Sequence, residues 1–171
     1  MGKLTNIFPS IGYCTTVHRR AEYAKVTIID NLKTIKNLEN VSQIVLDYNS
    51  PDGFKEWVYK NLMDWIDSGH LIYFKEDTMK KFQYSHAKNL AHKCAKTDIV
   101  CNLDADNFIT EGFSEWLRKT LTEKRLFAKA RKGSGGIQGR IAHWKSEFIA
   151  LGGYDEEMEF GGHTMGDQQL N

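Results

Sequence analysis

Short apolar runs alternate with amphipathic stretches along this chain, and that alternation constrains its fold more than any other feature. IGYCTTV (11–17), QIVLDY (43–48), HLIYF (70–74) and 98–103 read as strands, rich in β-branched and aromatic residues. Between them, residues 20–38, 54–68 and 83–96 read as helices. In 54–68, Phe54, Trp57, Val58, Leu62, Trp65 and Ile66 form one apolar stripe, and Gly69 is a helix stop. Thr110 is placed to cap a further helix carrying Phe113, Trp116, Leu117 and Leu121. RLFAKA and IQGRIAHW then read as strands, and KSEFIALGG as a short helix closed by glycine. Such alternation predicts an α/β fold: a mostly parallel sheet with helices on both faces.

With 171 residues, 41% of them hydrophobic, and no repeat or linker, the chain reads as one domain over 1–171. Twenty-three basic and 22 acidic residues leave a net charge of +1, which argues against nucleic acid or an anionic membrane as partner. No apolar run has the length of a transmembrane segment, and MGKLTNIFPS has neither a signal-peptide core nor the myristoylation pattern. Cys14, Cys94 and Cys101 are scattered and odd in number, which disfavours a disulfide framework or a zinc site and suits a reducing, cytoplasmic setting.

In open α/β sheets, ligands bind beyond the carboxyl ends of the strands. Asp47 stands at one such end, and Asp104 and Asp106 at another. Paired carboxylates repel in an apolar setting, and a divalent cation such as Mg²⁺ or Mn²⁺ relieves the conflict. The plainer alternative is a solvated turn ahead of the next helix. An EF-hand is ruled out, because Phe108 and Ile109 occupy loop positions five and six and the preceding segment is strand-like.

Four segments, in order, resemble the nucleotide-sugar-binding core of family 2-type glycosyltransferases, which have the GT-A (Rossmann-like) fold. They are YCTTVHRRAEYAKVTI, QIVLDYNSPDG, SHAKNLAHKCAKTDIVCNLDADN and SEFIALGGYDEEMEFGGHTMGDQQL. The resemblance implies metal-dependent transfer of a sugar from a nucleotide sugar, most simply a UDP-sugar, to an acceptor hydroxyl with inversion. It implies that Asp47, Thr15 and Thr16 line the nucleoside pocket. Lys88 replaces the family's usual arginine near the nucleotide. Asp104 would contact the ribose or the metal's water shell, and Asp106 would hold Mn²⁺ or Mg²⁺ on the diphosphate. Asp167 would be the base that deprotonates the acceptor, with Asp155 as the second candidate. Gly166 departs from the family's glutamate. Family members continue beyond a segment like GDQQL, so the resemblance also implies a C-terminally truncated or minimal domain. Two other functions compete: a nucleotidyltransferase, although CTTVHRRAEY lacks that class's glycine-rich loop, and a non-catalytic nucleotide-sugar-binding module.

Other features have simpler readings. The basic run 124–136 reads as a strand edge protected by lysine, with steering of an anionic donor as the alternative. Gly133, Gly135 and Gly136 do not follow a strand and open a helix as a phosphate loop would, and read as a flexible connection. Trp57, Trp65 and Trp116 are expected in the core, and Trp144 on the acceptor side. His86 and His92 are expected on a helix surface. His163 is a solvated loop residue or a metal ligand.

Overall fold

In the computed structural model of the protein, residues 8–131 and 139–157 are described. The parallel strands are β1 (Ile11–Val17), β2 (Val41–Tyr48), β3 (Leu71–Glu76) and β4 (Ile99–Asn102). Two antiparallel strands, β5 (Phe127–Lys129) and β6 (Ile141–Trp144), complete the sheet among these residues, in the order β3-β2-β1-β4-β6-β5. The helices are α1 (Ala21–Ile35), α2 (Phe54–Asn61), α3 (Met63–Asp67), α4 (Tyr84–Cys94), α5 (Phe113–Thr120) and α6 (Lys145–Ala150).

Side chains alternate across a strand, so each central strand feeds two cores. Ile11, Tyr13, Val17, Val41, Val45, Ile99 and Cys101 pack under α1, α2 and α5. Cys14, Ile44, Leu46, Tyr48 and Val100 pack against Ala87, Ala91 and Ala95 at the other face, where α4 lies. The small side chains of α4 let it sit close to the sheet. Burial on both faces is why these strands read as continuous apolar runs.

Register brings the carboxyl ends of the parallel strands to one edge: Val17 pairs with Asp47, Tyr48 with Glu76, and Cys14 with Asn102. β6 runs the other way, with Ala142 opposite Cys101 and Trp144 opposite Ile99. The residues that lead into it, Gly139 and Arg140, therefore belong to the carboxylate edge. Its end, at Trp144, belongs to the far edge.

Some expectations change. The 54–68 stretch is two helices, because the chain leaves helical geometry at Leu62, which is itself buried. The helix after β4 starts behind Gly112, in a left-handed conformation, and Thr110 makes no side-chain cap. Trp116 is half exposed and stacks on Phe113, whereas Trp57 and Trp65 pack at the core margin. Trp144 donates its indole N–H to Leu121 O (3.2 Å) at the far edge, at the opposite end of β4 from Asp104 and Asp106. β5 is an edge strand with Lys129 and an outward Phe127, while Lys132 and the glycines at 133, 135 and 136 lie outside the described residues.

Candidate active site

The β4 strand ends at Asn102, and Leu103 N still donates to Cys14 O (2.9 Å). The next residues turn sharply, closed by Asn107 N donating to Asp104 O (2.9 Å). Asp104 and Asp106 part company there. Asp104 Oδ1 accepts from Lys88 Nζ (3.0 Å) and from Asn102 Nδ2 (3.2 Å). Lys88 is buried and also donates to the Tyr84 hydroxyl. The positive charge needed beside Asp104 is thus supplied partly by the protein itself. Asp104 Oδ2 faces Gly139, where a Cβ would lie 2.7 Å away, so only glycine leaves this oxygen its space. Asp106 is exposed, and its Oδ1 accepts from Asn107 Nδ2 (2.8 Å).

Buried groups from α1 and from Arg140, just ahead of β6, hold this loop from behind. Thr27 Oγ1 donates to Ala105 O (2.6 Å). Asn31 donates to Asn107 O (3.1 Å) and accepts from Ile109 N (2.7 Å). Arg140 Nη2 donates to Phe108 O (2.9 Å), with its guanidinium over the Phe113 ring. Sequence reading missed all three, because a lone Thr, Asn or Arg carries no periodic signal of its role.

At the end of β2, Asp47 is fully buried. Its Oδ1 accepts from Ser50 N and its Oδ2 from the Tyr73 hydroxyl, both at 2.8 Å. Burial, and then the bond to Asp47, push the Tyr73 phenol well up from its ordinary range. Thr15 is buried on the same face and accepts from Gln43 Nε2 (3.4 Å), while Thr16 is half-buried and points to the other face. Both loops at this edge hold non-glycine residues in left-handed geometry, Arg19 after β1 and Asn49 after β2. They are tied together, since Arg19 N donates to Ser50 Oγ (2.8 Å).

Beyond α6, Asp155 is exposed and its Oδ1 accepts from Glu157 N (2.9 Å). Asn89 on α4 holds this turn through Tyr154 and Glu156. Asp167 and His163 lie outside the described residues. His92, expected at a helix surface, is instead buried against His143, Phe148 and Tyr154. Its Nδ1 meets Lys88 O (2.7 Å), which can only accept, so Nδ1 carries the proton. His86 is half-buried, with Nδ1 2.8 Å from the Tyr48 hydroxyl.

The edge therefore gathers Asp47, Thr15, Lys88, Asp104 and Asp106 from three strands and one helix. Oxygen donors of this kind suit a hard divalent cation. Among the described residues, no three or more His, Cys, Asp or Glu side chains come together as a metal cage. A surface cavity of about 460 Å³ lies at the opposite edge, beside Ser10, Ser42, His70 and Thr97, away from this chemistry. No described helix is long and apolar enough to cross a membrane.

A family model described as glycosyltransferase like family 2 matches residues 10–131. No match to the sequence was found among curated proteins. Among solved structures, the fold is similar to a mannosyltransferase from Pyrobaculum calidifontis in complex with GDP-Man and Mn²⁺, with TM-score 0.70 and 15% identity over 89% of this chain and 49% of that one. It is similar to S. aureus TarS 1–349 in complex with UDP-GlcNAc, with TM-score 0.66 and 13% identity over 84% and 47%. It is also similar to glucosyl-3-phosphoglycerate synthase from Mycobacterium tuberculosis, in complex with Mn²⁺, UDP and phosphoglyceric acid. There the TM-score is 0.57 and the identity 16%, over 81% and 56%. The chain spans about half the length of these structures. At such identities the likeness establishes the GT-A fold.

Proposed function

The chain belongs to glycosyltransferase-like family 2, and from that premise we propose that it transfers a sugar from a nucleotide sugar to an acceptor hydroxyl. The observation that carries this reading is the pair at the carboxyl edge of β4, with Asp104 neutralised by Lys88 and Asp106 left exposed. A UDP-sugar is the donor proposed, and Mn²⁺ or Mg²⁺ the cofactor. Solved structures of similar fold carry GDP-Man or UDP-GlcNAc, which supports the donor class more than the base.

The residues present fit a divalent ion. Asp106 turns a carboxylate outward, and Gly139 sets no side chain of its own against Asp104 Oδ2. Such an ion would offset the charge of a departing diphosphate. Lys88 pairs with Asp104 and fixes its direction. Asp47, with Thr15 and Thr16, borders the nucleoside side. Because Ser50 and Tyr73 occupy both Asp47 oxygens, it acts by setting the 48–53 turn or by exchanging one of these bonds for a ligand hydroxyl. The acceptor hydroxyl needs a carboxylate to take its proton. Asp167 is proposed for that step, with inversion at the sugar, and Asp155 is the alternative.

The test is thermal stability with UDP or GDP, each with Mn²⁺ and with chelator, followed by turnover of UDP-sugars and GDP-mannose. At a hundredfold excess over Kd, binding should add about 2.7 kcal/mol of apparent stability. Equal stabilisation with and without metal would remove the ion from the reading. Binding without turnover of any donor would leave a binding module in place of an enzyme.

A further inference from the structure

Lys88 and Asn89 are neighbours on α4, yet they serve different loops. Lys88 reaches Asp104. Asn89 is buried and spends its amide on the turn after α6. Its Nδ2 donates to Tyr154 O (2.8 Å) and to Glu156 Oε1 (2.6 Å), and its Oδ1 accepts from Tyr154 N (2.7 Å). One side chain thus pairs with both the N–H and the C=O of one residue, as a neighbouring strand would. The approach depends on Gly153, which has φ +81° and whose Cβ would lie 2.5 Å from Asn89 Oδ1. Tyr154 then packs edge-on against His92 of α4 and against Phe148.

We propose that Asn89 is a positioning residue: its side-chain clasp on Tyr154 and Glu156 sets the turn bearing Asp155 in fixed register with the Lys88–Asp104 pair. One helix then orients both sides of the site. Lys88 sets the donor carboxylate, and Asn89 sets the turn that borders the acceptor side. The proposal rests on the reading of Asp104 as part of the donor site. Geometry at the reacting centre governs rate more than donor affinity, so the clasp should act on turnover and not on nucleotide binding.

The experiment compares Asn89→Ala, Asn89→Asp and Gly153→Ala with wild type. It measures amide hydrogen exchange at Tyr154, Mn²⁺-dependent UDP and GDP affinity by calorimetry, and kcat and KM for the donor that wild type turns over. In Asn89→Ala, Tyr154 exchange should rise about tenfold or more. Nucleotide Kd should stay within about twofold, and kcat should fall about tenfold or more. Asn89→Asp keeps the acceptor for Tyr154 N but sets a carboxylate against Tyr154 O and Glu156. Its kcat defect, at unchanged nucleotide Kd, should shrink as pH falls and the introduced carboxyl gains a proton. Gly153→Ala breaks the clasp from the other side with α4 untouched, and should reproduce the loss of kcat. Unchanged Tyr154 exchange, or nucleotide affinity falling in step with kcat, would overturn the proposal. If wild type binds neither nucleotide, the donor reading is overturned and the positioning role with it. Failure of the positioning role alone shows instead as intact binding with unmoved Tyr154 exchange.

Discussion

Lys88 carries its charge to a place where only 4% of its side chain meets solvent, and Asp104 is the carboxylate that compensates it. Removing that partner leaves a buried ammonium uncompensated, which is costly. Asp104→Asn should therefore destabilise the folded chain by about 2 kcal/mol, since Asp104 is itself partly solvated. Asp106→Asn touches an exposed group and should change stability by no more than about 0.5 kcal/mol. It should still abolish the metal-dependent part of nucleotide binding. Urea unfolding of both variants, beside calorimetry with UDP and Mn²⁺, checks this, and equal destabilisation by the two would refute it. Sequence made the pair visible, because two carboxylates after an apolar strand are conspicuous. Their different surroundings were not legible, since Lys88 lies sixteen residues away on a helix whose facing follows only from packing.

Among the elements, α1 does more than cover the sheet. Thr27 and Asn31 project from its buried face and satisfy backbone groups of the Ala105–Ile109 loop. Asn31→Ala would remove the amide's bond to Asn107 O and the acceptor of the buried Ile109 N–H, at a cost of about 2 kcal/mol. We expect a lower urea midpoint and a weaker Mn²⁺ effect on nucleotide binding, because the same loop aims Asp106. A variant with full stability but a lost metal effect would contradict this account. Helices and strands were legible from the period of apolar residues. The break at Leu62 was not, because Leu62 keeps its place on the apolar stripe while its backbone leaves the helix. His92 also escaped: its period places it near Ala91 and Ala95, but a polar ring suggested the outer face. Aromatic neighbours from β6, α6 and the 153–156 turn are what bury it.

For the whole molecule, His92 makes acid sensitivity a property of the fold. Burial holds its pKa down at about 3, against an ordinary value near 6.5; the nearby charges of His143 and Lys88 add to this, and the bond to Lys88 O opposes it. Between those values the unfolded chain binds a proton that the folded chain refuses. Stability is therefore kept above about pH 6.5 and falls as pH drops toward 3, by at most about 1.4 kcal/mol per pH unit for this one group. His143, also lowered by burial, acts in the same direction. Urea midpoints at pH 7.5 and 5.0 should move less in His92→Phe than in wild type. Parallel shifts would show that other groups set the acid limit.

The sheet order carries a consequence for where this chain can be divided. The family match ends at residue 131, just past β5. Yet, among the described residues, β5 pairs with β6 and not with β4; β6 comes later and lies between them. A fragment cut at the family boundary would strand β5 and bare the hydrogen-bonding edge of β4, beside the two carboxylates. An unpaired apolar edge of that kind invites other chains to pair with it. The smallest piece worth expressing therefore runs past Trp144, and past the 153–156 turn if Asn89 is to keep its partner.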